Sequence, residues 1–122
     1  MDDRRRFPRL PERDAAAVTI IEAPAAPDIQ GTTFFAETQN ISEGGILLHL
    51  PRFVPPRSEL RMRIALRAPL RAFLITGSVA WSLAEAADGH HATGIQFIGG
   101  HAGDFEAWQT IVAHKTRHLP RP

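Results

Sequence analysis

Cysteine is absent from the 122 residues, which excludes disulfides and thiolate chemistry and fits a reducing compartment. Tyrosine is absent too, and seven Phe and two Trp are the whole aromatic complement. That is too few for the outward aromatic ladder with which a small barrel grips long nucleic acid, so no such partner is expected. No apolar run approaches the ~20 residues of a membrane helix, so no membrane association is expected either. The opening "RRRF" lacks the apolar region that an export signal needs next; "PRLPERD" follows instead, and the expected location is the cytoplasm. There is no GxSxG-type nucleophile elbow, and the carboxylates are scattered through turns rather than paired, so no enzyme is expected. His114 and His118 stand at i, i+4 but lack the Glu of H-E-x-x-H, while His90 and His91 sit in a polar turn beside Asp88. Both pairs read as solvated polar positions, and no metal site is expected.

What is present is an ordinary globular composition, 43% hydrophobic and 22% charged, in a length that suits one domain. The formal charge of +1 provides no strong field for the whole molecule, so anion binding has to come from local clustering. Clusters exist: Arg4, Arg5, Arg6, Arg9 and Arg13 crowd the start, and Arg52, Arg57, Arg61, Arg63, Arg67 and Arg71 fall in one later stretch. Lys115 is the single lysine. Arginine's planar fork suits bidentate contact with phosphates and guanine edges.

Hydrophobic periodicity organises the rest. "AVTIIEA" (17–23), "TTFFAETQN" (32–40) and "GGILLHL" (44–50) read as strands, separated by the turn-rich "PAAPDIQG" and by "SEGG". In "ELRMRIAL", Leu60, Met62, Ile64 and Leu66 alternate with Arg61, Arg63, Ala65 and Arg67, the pattern of a half-buried strand with an arginine-bearing outer face. "AFLITGSVAWS" (72–82) and "ATGIQFI" (92–98) bring the strands to six, with Trp81 expected to pack inside. Of the neighbours Phe34 and Phe35, one must point inward and the other outward. Phe105, Trp108, Ile111 and Val112 then recur at helical spacing, behind Asp104 and ahead of Lys115, Arg117 and His118. The expected fold is all-β: a small six-stranded antiparallel barrel with one amphipathic C-terminal helix packed on its mouth or face. Residues 1–13 read as a flexible arginine-rich arm, 14–118 as barrel plus helix, and 119–122 as a tail.

Two short segments carry the candidate chemistry. "RRFPR" supplies Arg5, Arg6 and Arg9, with Arg9 and Arg13 forming a second R-x-x-x-R; "NISEGG" supplies Asn40, Ser42, Gly44 and Gly45. Alone, "NISEGG" is a polar turn in which the glycines allow positive φ. Together with the arm, its oxygens and amides suit a compact, anionic, purine-containing ligand, since arginine grips phosphate and reads the O6 and N7 acceptors of guanine.

In this order, Arg5-Arg6-x-x-Arg9 and Asn40-x-Ser42-x-x-Gly45 resemble the paired motifs of the PilZ domain, the bacterial receptor module for cyclic di-GMP. "TGSVAW" followed by "GIQF", and the C-terminal helix, are similar to the family's late strands and closing helix. The resemblance implies that Arg5, Arg6 and Arg9 clasp guanine and phosphate, that Asn40 meets a guanine edge, and that Ser42, Gly44 and Gly45 complete the site. It implies a stand-alone receptor with cyclic di-GMP as ligand, no cofactor, and a protein partner that reads the ligand-ordered arm. The alternative is a PilZ-fold adaptor that binds no nucleotide and acts by protein–protein interaction alone.

Overall fold

The computed structural model describes residues 8–86 and 88–117; Arg4, Arg5, Arg6, His118 and the 119–122 tail lie outside the described residues. Six strands appear where apolar alternation places them: β1 (Ala15–Glu22), β2 (Thr33–Ile41), β3 (Gly45–Leu50), β4 (Glu59–Arg67), β5 (Leu70–Ser82) and β6 (His91–Gly100). Every neighbouring pair is antiparallel, and the order β1-β2-β3-β6-β5-β4 closes into a barrel. Strand β4 shows the cause most plainly. Leu60, Met62, Ile64 and Leu66 are fully buried, whereas Arg61, Arg63 and Arg67 stand in solvent. One face of a strand so patterned is driven out of water, and closing the sheet on itself buries that face without leaving an exposed edge. Phe34 and Phe35 divide as alternation requires, Phe34 buried and Phe35 79% exposed.

The long first hairpin loop has an anchor of its own. A 3-10 turn at Pro27–Ile29 pushes Ile29 into the core, and Gly31 N–H donates to the Ile20 carbonyl at 2.7 Å. Insertions of this kind cost little once their ends are fixed.

Helix α1 (Asp104–Arg117) closes the barrel end that carries the β2–β3 turn. Trp108 and Val112 are fully buried, with Phe105 and Ile111 partly buried beside them. The Trp108 ring meets Phe73 and Phe97 edge-on, both at 5.4 Å, and its Nε1–H donates to the Ser42 carbonyl at 2.8 Å. A large apolar body with a single satisfied polar handle is what such a plug needs. Asp104 serves the helix start differently from a cap: its carboxylate accepts from Leu74 N–H at 2.7 Å and from Arg71 at 3.4 Å, tacking the first turn to β5.

Candidate functional site

The segment before β1 lies along β2. Leu10 and Ile41 exchange two backbone hydrogen bonds of 2.8 Å, and both side chains are buried. Two to four residues on, Thr38 Oγ1 donates to the Glu12 carbonyl at 2.6 Å and accepts from Asp14 N–H at 2.9 Å, while Thr38 N–H donates to the Asp14 carbonyl. Pro8 and Pro11 flank Leu10 and hold the chain extended. This register brings Arg9 to Asn40, and Arg9 Nη1–H donates to Asn40 Oδ1 at 2.9 Å across 31 residues of sequence. Among the described residues, bonding to the barrel therefore begins at Arg9, inside the segment read as an arm.

Asn40 faces outward because of a β-bulge. Thr38 and Ile41 both point into the core, three residues apart, which strict alternation forbids. The pairing with β3 shifts between Thr38 and Asn40, leaving Gln39 as the extra residue and turning Asn40 to the outer face. A second bulge acts the same way on β5. Phe73, Ile75 and Val79 are buried, so alternation predicts Trp81 inside. The register shift between Val79 and Trp81 turns the indole out, to 41% exposure, which corrects the expectation that it packs in the core. The indole instead lies flat on Gly94, where an added Cβ would fall 2.2 Å from Trp81 Nε1. Asn40 pairs with Leu47, Leu47 with Gly94, and Gly94 with Trp81. The two bulges thus set an amide and an aromatic plate on one row of the outer wall, and Arg9 reaches that row at its Asn40 end. The signal missed in the sequence is the glycine of "ATGIQF", which makes room for the tryptophan of "GSVAW".

The other residues of the second motif hold the turn. Ser42 is buried, and both its N–H and its Oγ–H donate to the Gly45 carbonyl, at 2.9 and 3.3 Å. The Gly44 carbonyl accepts from Phe97 N–H at 2.9 Å. Neither Gly44 nor Gly45 adopts positive φ, contrary to the turn reading; Gly31, Gly89 and Gly103 do. Gly45 is needed for close approach instead, because a Cβ there would lie 2.2 Å from the Ile95 carbonyl oxygen. Arg9, Asn40, Ser42, Gly44 and Gly45 are therefore gathered at one end of the barrel, with Arg9 and Asn40 in direct contact. Arg5 and Arg6 lie outside the described residues.

A charged cluster sits at the base of the arm. Lys115, from the last turn of α1, bonds both Glu12 carboxylate oxygens at 2.8 and 3.0 Å. Asp14 is buried; one carboxylate oxygen accepts from Arg67 N–H at 3.2 Å, and the other, Oδ2, has no partner among the described residues. Burial, then the neighbouring Glu12 carboxylate, pushes the Asp14 carboxyl up to about 6. Burial also opposes ionisation of Glu12, but the neighbouring Asp14 carboxyl and the Lys115 ammonium outweigh it and hold Glu12 below its usual value. Neither motif supplied these residues. "PERD" is their only trace in the sequence.

Among the described residues no three His, Asp or Glu side chains converge as metal ligands. His90 Nδ1 contacts the Asp88 carbonyl at 3.0 Å and His91 Nδ1 the Leu83 carbonyl at 2.9 Å, both on the surface. No helix among the described residues is long and apolar enough to cross a membrane.

Comparison with known proteins puts this geometry in context. Among curated proteins no sequence matches. Among solved structures, the Bacillus subtilis inhibitor of motility (MotI/DgrA) superposes with a TM-score of 0.70 at 18% identity, over 98% of this chain and 54% of that one. The chain thus spans about half the length of MotI. The PilZ domain of YcgR from Escherichia coli, solved with c-di-GMP, gives 0.65 at 12% identity and covers 94% of this chain and 93% of that one. The K. pneumonia MrkH–c-di-GMP complex gives 0.57 at 17% identity, over 97% and 57%. At such identities the superpositions speak for the fold alone. The PilZ domain profile, however, matches residues 3–114, nearly the whole sequence, and the chain belongs to the PilZ domain family.

Proposed function

We propose that the protein is a receptor for cyclic di-GMP that works by binding rather than by catalysis. The observation that carries this reading is the Arg9–Asn40 hydrogen bond, which joins the two halves of the motif on the barrel wall. Two relatives of the same fold were solved with this nucleotide, which supports the choice of ligand. A guanidinium's planar fork can grip a phosphate or the O6/N7 edge of guanine. Arg5 and Arg6 add cationic charge four and three residues upstream. Asn40 offers a neutral amide to a guanine edge, and the Trp81 plate, two strands beyond Leu47, offers a face for stacking. Ser42, Gly44 and Gly45 shape the turn beside them rather than reaching outward.

Relay runs through the arm. Its Glu12 is bonded to Lys115 of α1 and Asp14 links it to β1, so a nucleotide that repositions Arg9 moves a segment tied to both the helix and the barrel. A protein partner reads the altered surface. Titration calorimetry of the purified protein with micromolar cyclic di-GMP tests the reading. Saturable heat that is lost in Arg5→Ala/Arg9→Ala is expected; no heat, or binding undiminished in that variant, would refute it.

A further inference from the structure

The later arginine cluster does not behave as a unit. Arg52 pairs with Asp28 at 3.5 Å, Arg67 bonds the Arg13 carbonyl at 2.6 Å, and Arg71 pairs with Asp104 and lies 4.7 Å above the Phe73 ring. Arg57, in the loop before β4, has no side-chain partner among the described residues; Arg61 and Arg63 share that state and stand together on one strand. Both are exposed on the outer face of β4, and neither forms an ion pair or side-chain hydrogen bond with any described residue. The register sets them in two rows: Phe35–Ala17–Arg63 and Thr33–Thr19–Arg61. Thr19 and Thr33 hydrogen-bond each other at 2.8 Å, so their hydroxyls are mutually satisfied. The face between the arginines and Phe35 is therefore low and made of small side chains, with Phe35 standing 79% exposed at its border.

We infer that this face of β2, β1 and β4 receives an acidic segment of a partner protein, with Arg61 and Arg63 taking two carboxylates and Phe35 an apolar side chain. Two unpaired guanidiniums on one strand, about 7 Å apart at strand spacing, match carboxylates at alternate positions of an extended chain. Phe35, two strands away at about 10 Å, is an exposed aromatic that a partner would desolvate, the kind of anchor that carries interface energy. The barrel is closed, so no strand edge is available for backbone pairing and side chains must provide the recognition. Long nucleic acid fits less well. Glu37, two residues from Phe35, and Glu59, two from Arg61, bracket the face with negative charge that a continuous phosphate backbone would meet, and only one aromatic is offered for stacking.

The inference rests on the receptor reading only for the face's role as output. The proposed nucleotide row runs over β2, β3, β6 and β5, while this face takes β2, β1 and β4, and the arm passes from one to the other as it enters β1.

The test is selection of random twelve-residue peptides displayed on phage against the wild-type protein without cyclic di-GMP, followed by fluorescence anisotropy of the selected peptides. Expected are peptides with two or more Asp or Glu and at least one apolar residue. Their affinity should fall at least tenfold for Arg61→Glu/Arg63→Glu, about fivefold for Phe35→Ser, and less than twofold for the control Arg52→Glu/Arg57→Glu. Circular dichroism confirms that each variant is folded. No enrichment, enrichment without acidic residues, or equal affinity for the Arg61→Glu/Arg63→Glu variant would overturn the inference. So would a labelled twenty-residue oligothymidine bound by the wild type as tightly as the peptides. Calorimetry with cyclic di-GMP on the Arg61→Glu/Arg63→Glu variant separates the two readings, because nucleotide binding there should equal that of the wild type.

Discussion

Helix α1 and the arm reach the same end of the barrel, and they are held there by different forces. The helix is fixed by burial: Trp108 and Val112 are out of water entirely, and the Trp108 ring is wedged against Phe73 and Phe97. The arm has one buried apolar side chain, Leu10, and otherwise depends on polar bonds through Thr38, Asn40 and Lys115. Each such bond contributes only about 1 kcal/mol net, because water offers nearly as good a partner. An attachment by burial comes undone only with the fold. One made of exchangeable polar bonds can be remade on a ligand, so the arm is suited to move while the helix is suited to stay.

Breaking the helix side should have the largest effect. Trp108→Ala removes the plug and leaves the Ser42 carbonyl without its donor. We expect a loss of about 3–5 kcal/mol in urea denaturation, a large share of a small domain's stability. A loss below about 1 kcal/mol would mean that the helix is not part of the core.

On the arm side the effect should appear in binding instead. Arg9→Ala or Asn40→Ala is expected to weaken cyclic di-GMP by at least tenfold in calorimetry, in keeping with loss of a charge-assisted bond of about 1.5–3 kcal/mol. Stability should change by no more than about 1 kcal/mol. Equal damage to both quantities would erase the distinction between the two attachments.

Asp14 sharpens it through pH. Its folded value of about 6 lies above the ordinary 3.8, so the folded protein holds a proton that the unfolded chain releases. Folding stability from this group is therefore fully present below about pH 4 and is lost as pH rises through 6. Glu12, held below its usual value, acts in the opposite sense and loses its contribution only under more acidic conditions. The stability of the wild type minus that of Asp14→Asn should increase by on the order of 1–3 kcal/mol between pH 7 and pH 4. A pH-independent difference in denaturation experiments would show that Asp14 is not protonated on folding.

The smallest effect belongs to the Lys115–Glu12 pair, in which both side chains keep some exposure, 16% and 20%. A double-mutant cycle with Lys115→Met and Glu12→Gln should yield a coupling of about 0.5–1 kcal/mol that weakens in salt. No coupling would mean that this ion pair does not tether the arm to the helix.

Much of the architecture was legible in residue order. The β4 alternation and the α1 stripe each define one buried face without reference to the rest of the chain, and the structure uses both as written. The site was legible only as motifs. What places Asn40 and Trp81 on the same outer row is a pair of bulges, and a bulge is decided by partner strands rather than by the strand that carries it. Ile41 has to meet Leu10 on one side and Ile46 on the other, and alternation within "AETQNI" contains no record of that. Gly45 illustrates the same gap. Its position reads as a need for turn flexibility, whereas the constraint is the carbonyl of Ile95, fifty residues downstream. Glu12 and Asp14 were invisible for a related reason, since their significance comes from Lys115 and Arg67, which the fold delivers from far along the chain.

The placement of the two tryptophans has a practical consequence. With no tyrosine in the chain, emission excited to the red of the phenylalanine band belongs to Trp81 and Trp108 alone. One indole is dry and locked inside the closing plug; the other rests on a glycine at the surface, half wetted, beside the proposed nucleotide row. Emission from the first should lie to the blue and shift only on unfolding, while the second should be red-shifted, open to iodide, and sensitive to a purine laid across it. The barrel carries two optical gauges, one for its integrity and one for its occupancy, and a single phenylalanine substitution at either position isolates the other.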